Sequence, residues 1–327
     1  ADFSEYNDIF LLHNSSGKLN GVKESIFMEN IKDYSGRWRW NMVNDFRPQS
    51  IEYSGIKCYP TANYVNYYGM QNGYPINDMT KADAESGYDP THPWKNRDPR
   101  FYKTIMFDGV KWKSTGGAGG TAELFTGGRE SEEANEKKGC FTAYMNSKLC
   151  PQLMNTVDGY KENNIMILSL MRLADVYLMY AEATAVGYNG PKGKAATYSL
   201  TAEEALNKIR ERAGVAPVLD KFLGSTADFL SELRRERAVE LSFEGFRFID
   251  LRRWMLLTQY PYTLKTKIEF DRADPSDYNY DEPEENAIKN LREVVLLERK
   301  YTDRHYWYPL PKKDVSMYEG FYQNPGW

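Results

Sequence analysis

The stretch Arg235–Trp254, RERAVELSFEGFRFIDLRRW, decides how this chain reads. Arg235, Glu236, Arg237, Glu240, Glu244, Arg247, Asp250, Arg252 and Arg253 crowd around a thin apolar line that Trp254 closes, so their ion pairs must be placed as well as numerous. Leu230, Leu233, Arg237 and Leu241 recur at helical spacing, with Ala238 and Val239 beside them, and this predicts a helix with one packing face. Arg234, Glu240 and Glu244 are left to solvent or to partners three and four residues away. Gly245 is expected to stop that helix. Arg247, Asp250 and Arg253 lie three apart and suit a further helical turn, in which an arginine fork holds the carboxylate. The embedded Phe243, Phe246, Phe248 and Trp254 separate the segment from an ordinary solvated charged helix.

Working back from this stretch, Leu170, Leu173, Ala174, Tyr177, Leu178, Ala181 and Ala185 trace an amphipathic helix from about Ile165. A second follows, with Thr201 and Glu204 as a capping box. Ala205, Leu206, Ile209 and Ala213 form its buried stripe, and Gly214 is its left-handed stop. The two predict an antiparallel hairpin whose Tyr/Ala spacing is reminiscent of a tetratricopeptide unit. A lone unit of that kind buries its apolar face only against neighbours, and about three are needed for a stable stack. Nearer the start, Pro60 precedes a short predicted helix over 61–68 that Gly69, Gly73 and Pro75 end. Asp89, Pro90, Pro93 and Pro99 keep 78–99 extended or turned, and 1–60 reads as loops and short strands. Residues 114–139 are glycine-rich and then charged, the composition of a surface excursion. No phosphate-loop pattern is completed there, so a nucleotide cradle is not expected.

Of the 327 residues 41% are hydrophobic, enough for a substantial core in one or two domains. Forty-two basic residues against 46 acidic give a net charge of -4, and basic runs are interrupted, so nucleic acid is not expected as a partner. Cys58, Cys140 and Cys150 show no metal-binding spacing. Cys140 and Cys150 could pair in an oxidising compartment, but the preferred reading is three idle thiols. No run approaches the roughly 18 apolar residues of a membrane helix; those at Ile165 and Val294 are core-sized.

His13, His92 and His305 stand apart from any nucleophile or metal motif. Glu182, Glu240, Glu244 and Asp250 are better explained as partners for Arg172, Arg210, Arg237, Arg247 and Arg253 than as a glycosidase pair. The acidic run from Asp271 lacks the loop spacing of a calcium site. Neither a metal nor a cofactor is expected. Aromatic residues remain: 7 Trp, 25 Tyr and 15 Phe. A sugar ring offers a flat patch of C–H groups edged by hydroxyls, which suits an aromatic face flanked by amides and guanidiniums. Trp94, Phe101, Tyr102, Trp254, Trp307 and Tyr308 are assigned to structure. Trp38 and Trp40, two apart in an extended segment, put both rings on one face beside Arg37, Arg39 and Asn41, where a binding platform and a buried pair are both open. Trp112, Tyr53 and Tyr74 complete the candidate ligand-binding set.

The 235–254 stretch resembles the C-terminal part of the SusD/RagB family of surface nutrient-binding lipoproteins, whose RxERxxELxFEGxRxxDLxRW pattern it fits from Arg235 to Trp254. YPTANYVNYYGMQNGYPI from Tyr59, NRDPRFYKTI from Asn96, LMRLADVYLMYAEA from Leu170, ALNKIRERAG from Ala205, WYPLPKKDV from Trp307 and QNPGW from Gln323 follow in the family's order. The resemblance implies a mainly α fold, a tetratricopeptide-like αα superhelix with long irregular loops and a few short strands. It divides the chain into a loop-rich region, 1–160, carrying the ligand surface, and a helical region, 161–327. Its implied function is non-catalytic capture of a glycan at the outer face of the outer membrane, for delivery to a SusC-like TonB-dependent transporter. Peptide capture by a RagB-like member is the alternative, and a polysaccharide hydrolase a more distant one. Members are longer at the N-terminus, so the lipid-bearing Cys and the first helices are expected upstream, with a separate chain as one way to supply them.

Overall fold

The computed structural model describes residues 3, 6–10, 22–30, 59–78, 81–112, 119–134, 139–149 and 167–327. In chain order its elements are α1 (Tyr6–Phe10), β1 (Ser25–Asn30), α2 (Ala62–Val65), β2 (Ile76–Asp78), β3 (Lys81–Ala82), α3 (Pro99–Thr104), β4 (Ile105–Met106), β5 (Met145–Asn146), β6 (Ile167–Arg172), α4 (Leu173–Gly187), α5 (Ala202–Ala213), α6 (Thr226–Glu240), α7 (Phe246–Arg253), β7 (Leu264–Arg272), β8 (Ile288–Glu298) and α8 (Lys312–Met317). The fold is mainly helical with long irregular loops. Strands pair two at a time and antiparallel: β1 with β6, β2 with β3, β4 with β5, β7 with β8.

The predicted hairpin forms as α4 and α5, and α6 packs back onto α4. Thr201 Oγ1 accepts from the Glu204 backbone at 3.2 Å while the Glu204 carboxylate accepts from the Thr201 backbone at 2.7 Å, and Gly214 ends α5 at φ +73°. Ala174, Leu178, Ala181 and Ala185 of α4 meet Ala205, Leu206 and Ile209 of α5 and Phe229 and Leu233 of α6 in one apolar cluster. Small residues on α4 let the helices approach closely. Each fully buried Leu, Ile or Phe stabilises the assembly by roughly 1.5–3 kcal/mol.

The start of α4 departs from expectation. Residues 167–172 are a strand, paired with 25–30 through partners such as Met28 and Ser169, and the helix opens only at Leu173. A short apolar run has no periodicity that distinguishes strand from helix, and the deciding partner lies far upstream. The 61–68 helix is likewise shorter, ending at Val65 before turns that run to Gly69. Gly245 does not stop α6, which ends at Glu240. It sits at φ +90° as the residue before α7, after a turn in which Phe243 takes φ +59°.

A second, aromatic core draws on both sides of residue 160: Trp94, Phe101, Phe107, Trp112 and Tyr144 pack with Val239, Ile268, Phe270 and Ile288. Trp94 and Phe101 both stack near Phe107, with ring centres 5.0 and 5.2 Å away. NRDPRF acts here as a local device. Arg97 threads its guanidinium into the carbonyls of Val65, Tyr68 and Pro93, Asp98 caps α3 at the Arg100 backbone N–H, and Pro99 fills the first helical position. Alternation along β7 buries Thr266, Ile268, Phe270 and Arg272 and leaves Lys265, Lys267 and Glu269 on the other face. Beyond that core the hairpin projects: Val295, Leu296 and Leu297 are 57%, 40% and 53% exposed, although their run reads as core. Trp307 and Tyr308, also assigned to structure, are exposed and lie in no strand.

Between the two cores lies a buried ionic brace. Six carboxylates, of Glu24, Asp98, Glu232, Glu236, Glu240 and Glu244, meet six cations, of Arg100, Lys148, Arg172, Arg210, Arg212 and Arg235, in one connected set. Glu240, expected near solvent, is wholly buried among Arg100, Arg172 and Arg212. Burial pushes its carboxyl up, but Arg212, Arg172 and Arg100 together hold it well below the ordinary range. Glu244 is shared by Lys148 and Arg172, and α1 covers the set with Phe10, whose ring centre is 4.0 Å from Lys148 Nζ. A second chain of pairs runs from Asp175 through Arg237, Asp250 and Arg253 to Glu182, which also accepts from the Trp254 indole at 2.7 Å. The fork that holds Asp250 therefore comes from Arg237, with Arg253 beside it. Arg247 is not a partner of Asp250 and turns elsewhere.

Candidate ligand-binding site

Arg247 turns toward two adjoining cavities. Its Nη2 donates to the Tyr67 hydroxyl at 2.8 Å, and its guanidinium lies 4.8 Å from the Tyr67 ring centre and 5.6 Å from that of Tyr262. One cavity, of about 340 Å³, is lined by Asn63, Asn66, Tyr67, Ile76, Phe222, Arg234, Arg247 and Tyr262 among others. The other, of about 360 Å³, is lined by Tyr59, Tyr64, Phe243, Phe248, Lys265 and Arg299, with Arg247 again in its wall. Both volumes fall at the lower end of the roughly 300–1,000 Å³ of small-ligand pockets.

Local structure explains how these side chains meet. Pro60 and Thr61 start α2, which carries Asn63 and Tyr64, and Asn66 and Tyr67 follow within one turn. Asn63 is fixed to β7: its backbone N–H donates to Thr266 Oγ1 at 2.8 Å and its amide to the Leu264 carbonyl at 2.8 Å. Thr266 donates in turn to Glu293, which also accepts from the Asn66 amide at 3.1 Å. The left-handed Phe243 and Gly245 turn the chain so that Phe243 and Phe248 wall the second cavity. Tyr64 and Tyr59 spend their hydroxyls on the carbonyls of Ala238 and Gly139, which leaves their rings as the surfaces they offer.

Three residues that line the first cavity each carry a buried polar atom, Asn66 Oδ1, Arg234 Nε and Arg247 Nη1, with no hydrogen-bond partner among the described residues. Leaving such a group unsatisfied costs about 1–3 kcal/mol, and three along one cavity make a set of one acceptor and two donors. Among the described residues Glu232 is the only carboxylate lining either cavity. Burial raises its pKa, yet Arg235 and Arg210 hold it at about 2, so it has no proton to give at neutral pH. Acid/base work on a glycosidic bond uses two carboxyl groups, one of them protonated. Lys265 is opposite in kind: burial, with the charges of Arg299 and Arg247, lowers its ammonium to about 8.

Of the residues expected from sequence to meet ligand, Trp38, Trp40, Arg37, Arg39, Asn41 and Tyr53 lie outside the described residues. Trp112 is corrected: it is 1% exposed within the aromatic core, so neither ring face is open to a ligand. Tyr74 is half-buried on a loop, donating to Glu85 at 2.9 Å under the ammonium of Lys221, and lines neither cavity. The residues that do converge are Asn66, Tyr67, Arg234, Arg247, Phe248, Tyr262 and Lys265, none of them in the candidate set drawn from sequence. ANYVNYY carried the signal, since its Asn and Tyr residues repeat at intervals that one helical turn brings to one side. Cys140 is a buried free thiol that burial pushes up to about 11, with its Sγ 3.1 Å from the Tyr144 carbonyl, so it is not paired to Cys150. Among the described residues no helix is long and apolar enough to cross a membrane, and no three of His, Cys, Asp and Glu gather as a metal cluster.

The model of the SusD family matches residues 23–327. The chain belongs to the SusD family. Solved relatives share the fold: a SusD-like protein from Bacteroides fragilis superposes with a TM-score of 0.69 at 22% identity, covering 98% of this chain and 57% of its own. A SusD-like carbohydrate-binding protein from the same organism gives 0.64 at 19% identity, covering 97% and 57%. A SusD superfamily protein from Parabacteroides distasonis gives 0.51 at 17% identity, covering 99% and 53%. The chain thus spans a little over half the length of these SusD relatives. No curated protein matches it in sequence.

Proposed function

We propose that this SusD-family chain is a non-catalytic, cell-surface glycan-binding protein that takes up an oligo- or polysaccharide at the Arg247 cavities and passes it to a SusC-like TonB-dependent transporter. The observation that carries the reading is a cavity lined by Asn66, Arg234 and Arg247, each with a buried polar atom left without a partner among the described residues, and by Tyr67 and Tyr262. A sugar supplies what that arrangement lacks: hydroxyls that both donate and accept, and a C–H face for the rings. Family membership supports it, as does the carbohydrate binding named for one solved relative. The lone, ionised Glu232 suits binding without turnover.

Attachment to the outer membrane by a lipid on an upstream Cys, and packing of an upstream segment beside the α4–α5 hairpin, belong to the same proposal. So does a further sugar-facing surface made by Trp38, Trp40, Arg37, Arg39, Asn41 and Tyr53. A glycan array run beside a peptide library tests the reading. Glycan binding that weakens about tenfold or more in Tyr262→Ala, with no new reducing ends after prolonged incubation, is the expected result. Peptide binding without glycan binding would overturn it, as would release of reducing ends.

A further inference from the structure

The second cavity concentrates positive charge that no described residue neutralises. In the ionic brace every guanidinium meets at least one carboxylate. Around the 360 Å³ cavity Arg247, Lys265 and Arg299 converge, and none is within ion-pair distance of a carboxylate among the described residues. Arg247 gives one nitrogen to the Tyr67 hydroxyl and leaves Nη1 buried without a partner among the described residues. Arg299 gives Nη1 to the Tyr301 hydroxyl at 3.1 Å, a neutral acceptor. The Lys265 ammonium has no hydrogen bond or ion pair among the described residues, and its lowered pKa reports burial and the repulsion of its two neighbours. Three like charges held together, with no carboxylate among the described residues of the wall, form a site whose missing member is an anion.

The rest of the wall says what carries the anion. Tyr59, Tyr64, Phe243 and Phe248 present ring faces, and Phe248 is 36% exposed on α7. Resting on the glycan reading above, we propose that this cavity selects acidic sugars, seating a ring-borne anionic oxygen group between Arg247, Lys265 and Arg299 while the aromatic rings take the sugar's C–H face. A guanidinium fork matches the paired oxygens of a carboxylate or sulfate, and the ammonium adds a point charge that needs no fixed direction. Arg247, common to both cavities, joins this charged end to the hydroxyl-seeking end beside Asn66.

Calorimetric titration tests the inference with two matched pairs of probes: an oligogalacturonate against its methyl ester, and a sulfated galactan oligosaccharide against its desulfated form. At least one acidic member should bind about tenfold tighter than its neutral counterpart, and the pair that shows the preference distinguishes carboxylate from sulfate. Lys265→Gln with Arg299→Gln should abolish the preference, the acidic member losing about tenfold more affinity than its neutral counterpart. In the unaltered protein the preference should shrink as salt rises, a readout that does not depend on the variant's folding. Equal affinity for acidic and neutral forms would overturn the inference and leave the glycan reading standing, and so would a preference that survives the double substitution. Failure to bind any glycan would overturn both.

Discussion

The brace around Glu240 and the cavity around Lys265 are made from the same materials, arginine, lysine and aromatic rings, and differ in one respect. In the brace, cations and carboxylates balance and Glu240 alone meets three guanidiniums. At the cavity, three cations share a wall with no carboxylate. The contrast is sharpest in α6 and α7, where Arg237 closes on Asp175 and Asp250 while Arg247, ten residues later, lines both cavities with one buried nitrogen unpartnered among the described residues. Charge of the first kind fixes how helices meet. Charge of the second kind weakens the fold, and in the proposed function it serves a ligand.

The largest effect should come from breaking the brace. Glu240→Gln leaves buried guanidiniums short of a carboxylate and should destabilise the protein by about 3–5 kcal/mol in urea unfolding; a loss below about 1 kcal/mol would remove the distinction between the two regions. The brace should also fail in acid. Carboxyls held below their ordinary value, Glu232 at about 2 among them, contribute stability that is present above pH 4.5 and lost as pH falls toward 2.

Lys265→Met should act in the opposite direction. Because the folded protein holds this ammonium at about 8 against an ordinary 10.5, removing it should stabilise the fold by about 1–3 kcal/mol at pH 7. The unfolded chain keeps its proton between those two values while the folded one releases it, so the unaltered protein gains stability as pH rises from about 8 to 10.5. The advantage of the variant should fade over that window. A destabilising Lys265→Met would place Lys265 with the brace.

Smaller effects refine the comparison. Glu182→Ala removes the partly exposed partner of Arg253 and of the Trp254 indole, and should cost about 1 kcal/mol in thermal unfolding. The exposed Lys208–Glu211 pair should contribute less than about 0.5 kcal/mol, within the error of a double-mutant cycle.

How much of this was legible in the sequence follows the range of the interactions. The capping box at Thr201, the stop at Gly214 and the apolar stripe of α5 are local, and spacing alone reveals them. That Glu182 and Asp250 serve arginines was readable too, because carboxylates within an arginine-rich amphipathic pattern have few other uses. Which arginine meets which carboxylate was not. Arg172 reaches Glu24 and Glu240, and Arg100 reaches Glu236, across separations that only the tertiary fold closes. The same limit hid the strand at 167–172, whose partner is β1, and the cavities, whose walls come from α2, α7 and β7. Trp112 misled because glycines beside a tryptophan resemble an exposed loop, whereas its ring is packed in the aromatic core.

The central claim, that unneutralised charge and aromatic faces at Arg247 form the ligand site while the brace does not, is tested most directly by titrating Phe248→Ala/Arg299→Gln with the tightest glycan found on an array. The account predicts an affinity loss of about tenfold or more with an unchanged thermal transition. Unchanged affinity in a folded double variant would contradict it.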